Sequence, residues 1–100
     1  MSVFVTLKVA ADRAKLEEIM RANPERVDKI NSEAKNMGAI HHKFLASNGT
    51  IMVLDEWDAP ESFQKFFENS TEVADIMKEV GASSAPEITI WEKLDTRDEF

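Results

Sequence analysis

Residues 50–67 read TIMVLDEWDAPESFQKFF, and this stretch decides the fold. It begins with a run of large apolar residues, Ile51-Met52-Val53-Leu54. The run is short, holds β-branched residues and follows Asn48-Gly49, so it predicts a strand buried on both faces. Side chains alternate along a strand, so Ile51, Val53, Asp55 and Trp57 share one face while Met52, Leu54 and Glu56 share the other. Asn48 and Gly49 both tolerate positive φ, which predicts a tight hairpin to an antiparallel strand just upstream. After Trp57 the period changes. Asp58 is placed to cap a helix, Pro60 suits its first turn, and Glu61 stands three residues after Asp58 as a capping box requires. Phe63, Phe66 and Phe67 then share a helical face at i, i+3 and i+4. Three phenyl rings on so short a helix predict that it is clamped onto the sheet.

Working outward, residues 3–9 alternate. Val3, Val5, Leu7 and Val9 form an apolar face, and Phe4, Thr6 and Lys8 a mixed one. Residues 12–37 are helical by pattern, with Leu16, Ile19, Met20, Val27, Ile30, Ala34 and Met37 in one stripe. Asp12 is its expected cap and Gly38 its expected stop. Asn23-Pro24 predicts a kink or break in the middle. Residues 40–46 form the second strand, with Ile40, His42 and Phe44 on one face and His41, Lys43 and Leu45 on the other. Beyond the aromatic helix, Ser70 or Asn69 caps a further short helix carrying Val73, Ile76, Met77 and Val80, and Gly81 stops it. Residues 82–86 are a loop, and 87–94 are the fourth strand. The single domain spans 1–94, and 95–100 is a charged tail.

Composition narrows the function classes. The 100 residues carry a net charge of −7 and no cysteine. Clustered basic residues are absent, which argues against nucleic acid or an anionic membrane as partner. Without cysteine there is no disulfide, no thiolate nucleophile and no cysteine-type zinc site. No apolar run reaches membrane-spanning length and the N-terminus lacks signal-peptide character, so a cytoplasmic protein is expected. There is no phosphate loop, dinucleotide fingerprint or nucleophile triad, and no cofactor or metal is expected.

The element order, β-α-β-β-α-(α)-β, predicts an α+β domain. Two right-handed crossovers joined by the central hairpin give a four-stranded antiparallel sheet with helices on one face. The other face, with Phe4 and Trp91, would be an exposed apolar patch. A second copy packing sheet on sheet is the simplest cover, and it would enclose space for a small hydrophobic molecule.

In Gly38 before the second strand, Asp55-Glu56-Trp57 ending the third, and Glu61-Ser62-Phe63-Gln64-Lys65-Phe66 on the next helix, the chain resembles the antibiotic-biosynthesis-monooxygenase-like family of dimeric α/β barrels. The resemblance covers about residues 3–94. It implies a ferredoxin-like fold, a homodimer, and functions that range from cofactor-independent oxygenation of aromatic polyketides or quinols to haem degradation. The haem-degrading branch uses an asparagine on the first strand, a tryptophan on the helix after the third, and a histidine soon after. Here the first strand offers Thr6 and Leu7, the helix position is Phe66, and no histidine follows His42. Haem degradation by that route is disfavoured.

His41 and His42 are the only histidines, and adjacent strand residues face opposite ways, so they cannot share a metal within one chain. His42 lies on the apolar face and is the candidate base, able to take a proton or hydrogen-bond a phenol. The alternative is a core histidine satisfied by a carboxylate or a carbonyl. Phe4, Thr6, Phe44, Trp57 and Trp91 are the candidate lining of a binding site, although Trp57 also reads as core packing. Asp55 and Glu56 point to opposite faces. One of them, if buried, needs a partner such as a histidine or lysine. Two functions follow. One is a homodimeric barrel that binds a small aromatic or hydrophobic molecule, with cofactor-independent monooxygenase activity. The other is a non-catalytic dimer whose barrel is filled by side chains.

Overall fold

The computed structural model describes residues 2–82 and 85–100. Its order is β1 (Val3–Ala10), α1 (Arg13–Ala22), α2 (Pro24–Asn36), β2 (Ala39–Ser47), β3 (Thr50–Trp57), α3 (Pro60–Asn69), α4 (Thr71–Glu79) and β4 (Glu87–Trp91). The strands pair antiparallel in the order β2-β3-β1-β4, the ferredoxin-like arrangement expected from the sequence. Among the described residues no helix is long and apolar enough to cross a membrane.

Local chemistry sets most boundaries. The Asp12 side chain accepts the Lys15 N–H and starts α1. The long helical pattern breaks at Asn23, and Pro24 opens α2, because proline fits the first turn of a new helix and not the interior of an old one. Asn48 and Gly49 have φ of 47° and 78°, the left-handed pair of a two-residue hairpin. That turn fixes the β2–β3 register at Ser47 opposite Thr50 and His42 opposite Asp55. The Ser70 hydroxyl accepts the Val73 N–H and starts α4.

Three boundaries differ from expectation, and a fourth is described only in part. Asp58 does not cap α3: Ala59 holds the N-cap position and makes no side-chain cap bond. The Asp58 N–H instead donates to the Gly38 carbonyl at 2.9 Å, which draws the residue into the end of the sheet. Met37 leaves the apolar stripe and is exposed, because it is the C-cap residue of α2. The fourth strand ends at Trp91, and Leu94 beyond it is exposed. The loop expected at 82–86 is described only in part, since Ser83 and Ser84 lie outside the described residues.

The back of the sheet holds the core. One cluster joins Leu7, Val9, Leu16, Ile51, Ile76 and Val80; the other joins Val3, Val5, Trp57, Phe63 and Phe66. Trp57 is 1 % exposed, with ring centroids 5.7 Å from Phe63 and 5.5 Å from Phe66. At about 25 cal/mol per Å² of buried apolar surface, each such ring contributes roughly 4 kcal/mol before entropy is subtracted. Arg26 on α2 pairs with Glu72 and Glu79 on α4 and ties the two helices together. The same bonds, to Glu79 first and then Glu72, raise the Arg26 pKa above its ordinary value, and Arg26 lowers that of Glu79.

The front of the sheet carries Phe4, Thr6, Lys8, Leu45, Met52, Leu54, Thr89 and Trp91, outside both core clusters. Leu45 and Trp91 are exposed; Phe4, Met52 and Leu54 are half-buried.

Gly38 follows α2 with φ at 119°, a conformation L side chains rarely adopt, and a Cβ there would collide with the Asp58 carboxylate. Gly38→Ala is expected to destabilise the fold by about 1–3 kcal/mol. Gly49→Ala, with open space around it, should cost less. Urea denaturation of both variants checks the order, and Asp58→Ala should recover part of the Gly38→Ala loss.

Candidate functional site

Alternation along β3 sends Asp55 and Trp57 to the back, and the hairpin register sets His42 directly opposite Asp55. The result is a three-residue chain. His42 Nδ1 lies 2.6 Å from Asp55 Oδ1, and the Trp57 indole N–H donates to Asp55 Oδ2 at 3.1 Å. Asp55 is 7 % exposed, the one buried charged residue among those described. A buried carboxylate is tolerable only when both oxygens find donors, and here both do. An ionised carboxylate only accepts, so His42 donates from Nδ1 to Asp55, and in the neutral ring the lone pair is then on Nε2. The ring of Phe44 packs edge-on against His42 at 4.9 Å.

These residues line a cavity of about 530 Å³ between the sheet and the helices, within the range of small-molecule sites. Buried Leu7, Val9, Leu16, Ile51, Phe63 and Ile76 form its depth. Its mouth is formed by exposed residues: Asn31 and Lys35 of α2 on one side, and Ile40, His42 and Phe44 of the edge strand β2 on the other. Ile40 is the extra residue of a bulge between Ala39 and His41, so small Ala39 faces Trp57 in its place. Ile40 therefore leaves the ladder opposite Trp57, yet it still lines the cavity mouth together with His42 and Phe44.

The structure divides the six residues singled out in the sequence. His42, Phe44 and Trp57 line the cavity at the back. Phe4, Thr6 and Trp91 lie on the front, where Phe4 pairs with Trp91 and the Trp91 indole N–H donates to Thr6 Oγ1 at 2.8 Å. Within one chain these two sets do not meet, because the sheet stands between them. Trp57 combines the two roles considered for it: it is packed between phenyl rings and also forms part of the cavity wall. Asp55 is the buried member of the Asp55–Glu56 pair; Glu56 faces the front, where the Ser2 hydroxyl donates to it at 2.5 Å. Asn31 and Lys35 were not singled out in the sequence. The signal available was their i, i+4 spacing beside the apolar stripe at Val27, Ile30 and Ala34, which leaves one border of that stripe polar. Among the described residues no group of three histidine or acidic side chains is placed to hold a metal ion.

No family model matches the sequence, and no curated protein does. Solved structures match over nearly the whole chain. A conserved protein from Methanosarcina mazei superposes with a TM-score of 0.66 at 19 % identity, covering 94 % of both chains. A dimeric ferredoxin-like protein from an uncultured marine organism gives 0.63 at 17 % identity, covering 99 % of this chain and 93 % of its own. A monooxygenase from Streptomyces coelicolor in complex with the ligand nanaomycin D gives 0.67 at 12 % identity, covering 95 % and 89 %. Further matches bear the name antibiotic biosynthesis monooxygenase. At these identities the likeness is one of fold: the chain has the ferredoxin-like fold shared by structures named as antibiotic biosynthesis monooxygenases.

Proposed function

We propose that the chain works as a homodimer in which each subunit binds a small, aromatic or hydrophobic molecule between its own sheet and helices. His42 is the base of a cofactor-independent monooxygenation of that molecule. The observation that carries the reading is the His42–Asp55–Trp57 chain on the wall of an open apolar cavity. The likeness in fold to a ligand-bound monooxygenase supports the same reading.

The chemistry follows from the donor set. Asp55 accepts from Nδ1 and stabilises the imidazolium formed when Nε2 takes a proton, and Trp57 keeps the carboxylate from turning. A substrate with an activated CH₂ group, such as an anthrone, loses a proton to Nε2 and becomes a stabilised carbanion. The carbanion gives electrons to dioxygen; one oxygen atom enters the product as a carbonyl and the other leaves as water. The protein binds the substrate and takes the proton, and a substrate seated in the cavity would itself displace water from the buried end. Phe44 and Trp57 supply flat apolar walls for an aromatic body. Phe4, Thr6 and Trp91 belong to the dimer contact, front against front, as do Leu45 and Leu54. A match named as a dimeric ferredoxin-like protein supports that arrangement.

Oxygen uptake with a panel of anthrones and quinols tests the chemistry. His42→Ala is expected to lower substrate-dependent uptake about 100-fold, the ordinary worth of a positioned base, with partial rescue by added imidazole. Equal rates in the two proteins would remove His42 from the mechanism. Asp55→Asn should lower the rate less and leave substrate affinity near the parent value. Asp55→Ala should cost about 1–3 kcal/mol of stability in urea, because the buried Trp57 N–H loses its acceptor. Sedimentation equilibrium tests the assembly: the parent chain should run as a dimer at micromolar concentration and Leu54→Lys as a monomer. A monomeric parent would end the dimer proposal.

A further inference from the structure

The cavity mouth is electrostatically unlike the rest of the chain. The sequence carries 19 acidic residues against 12 lysines and arginines. Yet among the described residues Asp55 is the one carboxylate that lines the cavity, and both of its oxygens are engaged by His42 and Trp57. The full positive charge on the lining is Lys35. Arg26 and Lys29 on the same helix are paired with Glu72 and Glu79, whereas Lys35 makes no ion pair among the described residues. Asn31, one turn earlier on the same border of α2, adds an amide within the same rim. Below the rim the wall is aliphatic and aromatic down to Ile76 and Val80.

We infer that the ligand is an amphiphilic anion: an apolar ring or acyl body that fills the cavity, with an acidic group left at the mouth for Lys35 and Asn31. This rests on the reading of the cavity as a ligand site, and it adds the ligand's charge and orientation. A cation finds no free carboxylate on the lining, and a neutral ligand makes no use of Lys35. An anion is attracted by the Lys35 ammonium, which no carboxylate pairs among the described residues. With the acidic group at the rim, the body extends inward past His42 Nε2. Lys35 is then a specificity-determining residue and takes no part in proton transfer.

Two fluorescent probes with one carbon skeleton test this: anilinonaphthalene sulfonate, an anion, and N-phenylnaphthylamine, which is neutral. Each is titrated at low ionic strength into the parent chain, Lys35→Met and Lys35→Arg. Lys35 is exposed, so neither substitution should disturb folding. Lys35→Met should weaken the sulfonate probe about fivefold, in line with a charge pair at a partly exposed site, and leave the neutral probe unchanged. Lys35→Arg should keep both affinities. Added salt should weaken the sulfonate probe alone in the parent chain and neither probe in Lys35→Met. A sulfonate affinity indifferent to Lys35→Met overturns the inference; if the neutral probe still binds, the cavity reading survives. If neither probe binds the parent chain, both fall together.

Discussion

The site depends on how one carboxylate is kept satisfied inside a small sheet. Burying Asp55 unpaired would cost several kcal/mol, a large share of what a 100-residue domain has to spare. The strand period that buries it also delivers its partners. Trp57, two residues on, must share its face, and the hairpin register puts His42 directly across. Trp57 is in turn held between Phe63 and Phe66, so the carboxylate is anchored to the aromatic core on one side and presents an imidazole to open space on the other. A slip of one residue in the β2–β3 register would exchange His42 for His41 at the back and leave Asp55 without its partner. The Asn48-Gly49 turn, absent from the cavity lining, is thus what fixes the His42–Asp55 pair at its wall.

The features legible in the sequence are those set by local rules. Alternation in β1 and β3, the positive-φ hairpin, the break at Asn23-Pro24 and the Ser70 cap all follow from residues within a few positions of one another. So did the two faces of Asp55 and Glu56, and the need of a buried acid for a partner. What was not legible depends on long-range competition. Asp58 has the side chain for a cap, yet its backbone is claimed by Gly38, 20 positions away. Ile40 fits the strand alternation, yet a bulge puts Ala39 beside Trp57, where the bulkier side chain would compete with the indole for space. The cavity was expected at the front because the open face was the visible vacancy. The cavity at the back of the single chain depends instead on how far the helices reach across the sheet, which no local pattern encodes.

That reach explains the separation of the two sets of candidate residues. The helices cover the central strands β1 and β3, whose back-facing residues are nearly all buried, and stop short of the edge strand β2. On β2 even the back-facing side chains stay open to solvent: Phe44 is 40 % exposed and the His42 side chain 42 %. On α2, the exposed Asn31 and Lys35 stand across that gap from them.

Strand β2 therefore has two exposed faces, with different remedies. At the front, Leu45 continues the apolar patch of Phe4, Met52, Leu54 and Trp91 across all four strands, which suits a second sheet. At the back, Phe44 and His42 look into a narrow recess roofed by helices that a flat partner cannot enter. A front-to-front dimer would leave that recess as open as it is in one chain. Its cover must come from something other than a second sheet, and that cover would lie beside His42 and Phe44 on the cavity wall.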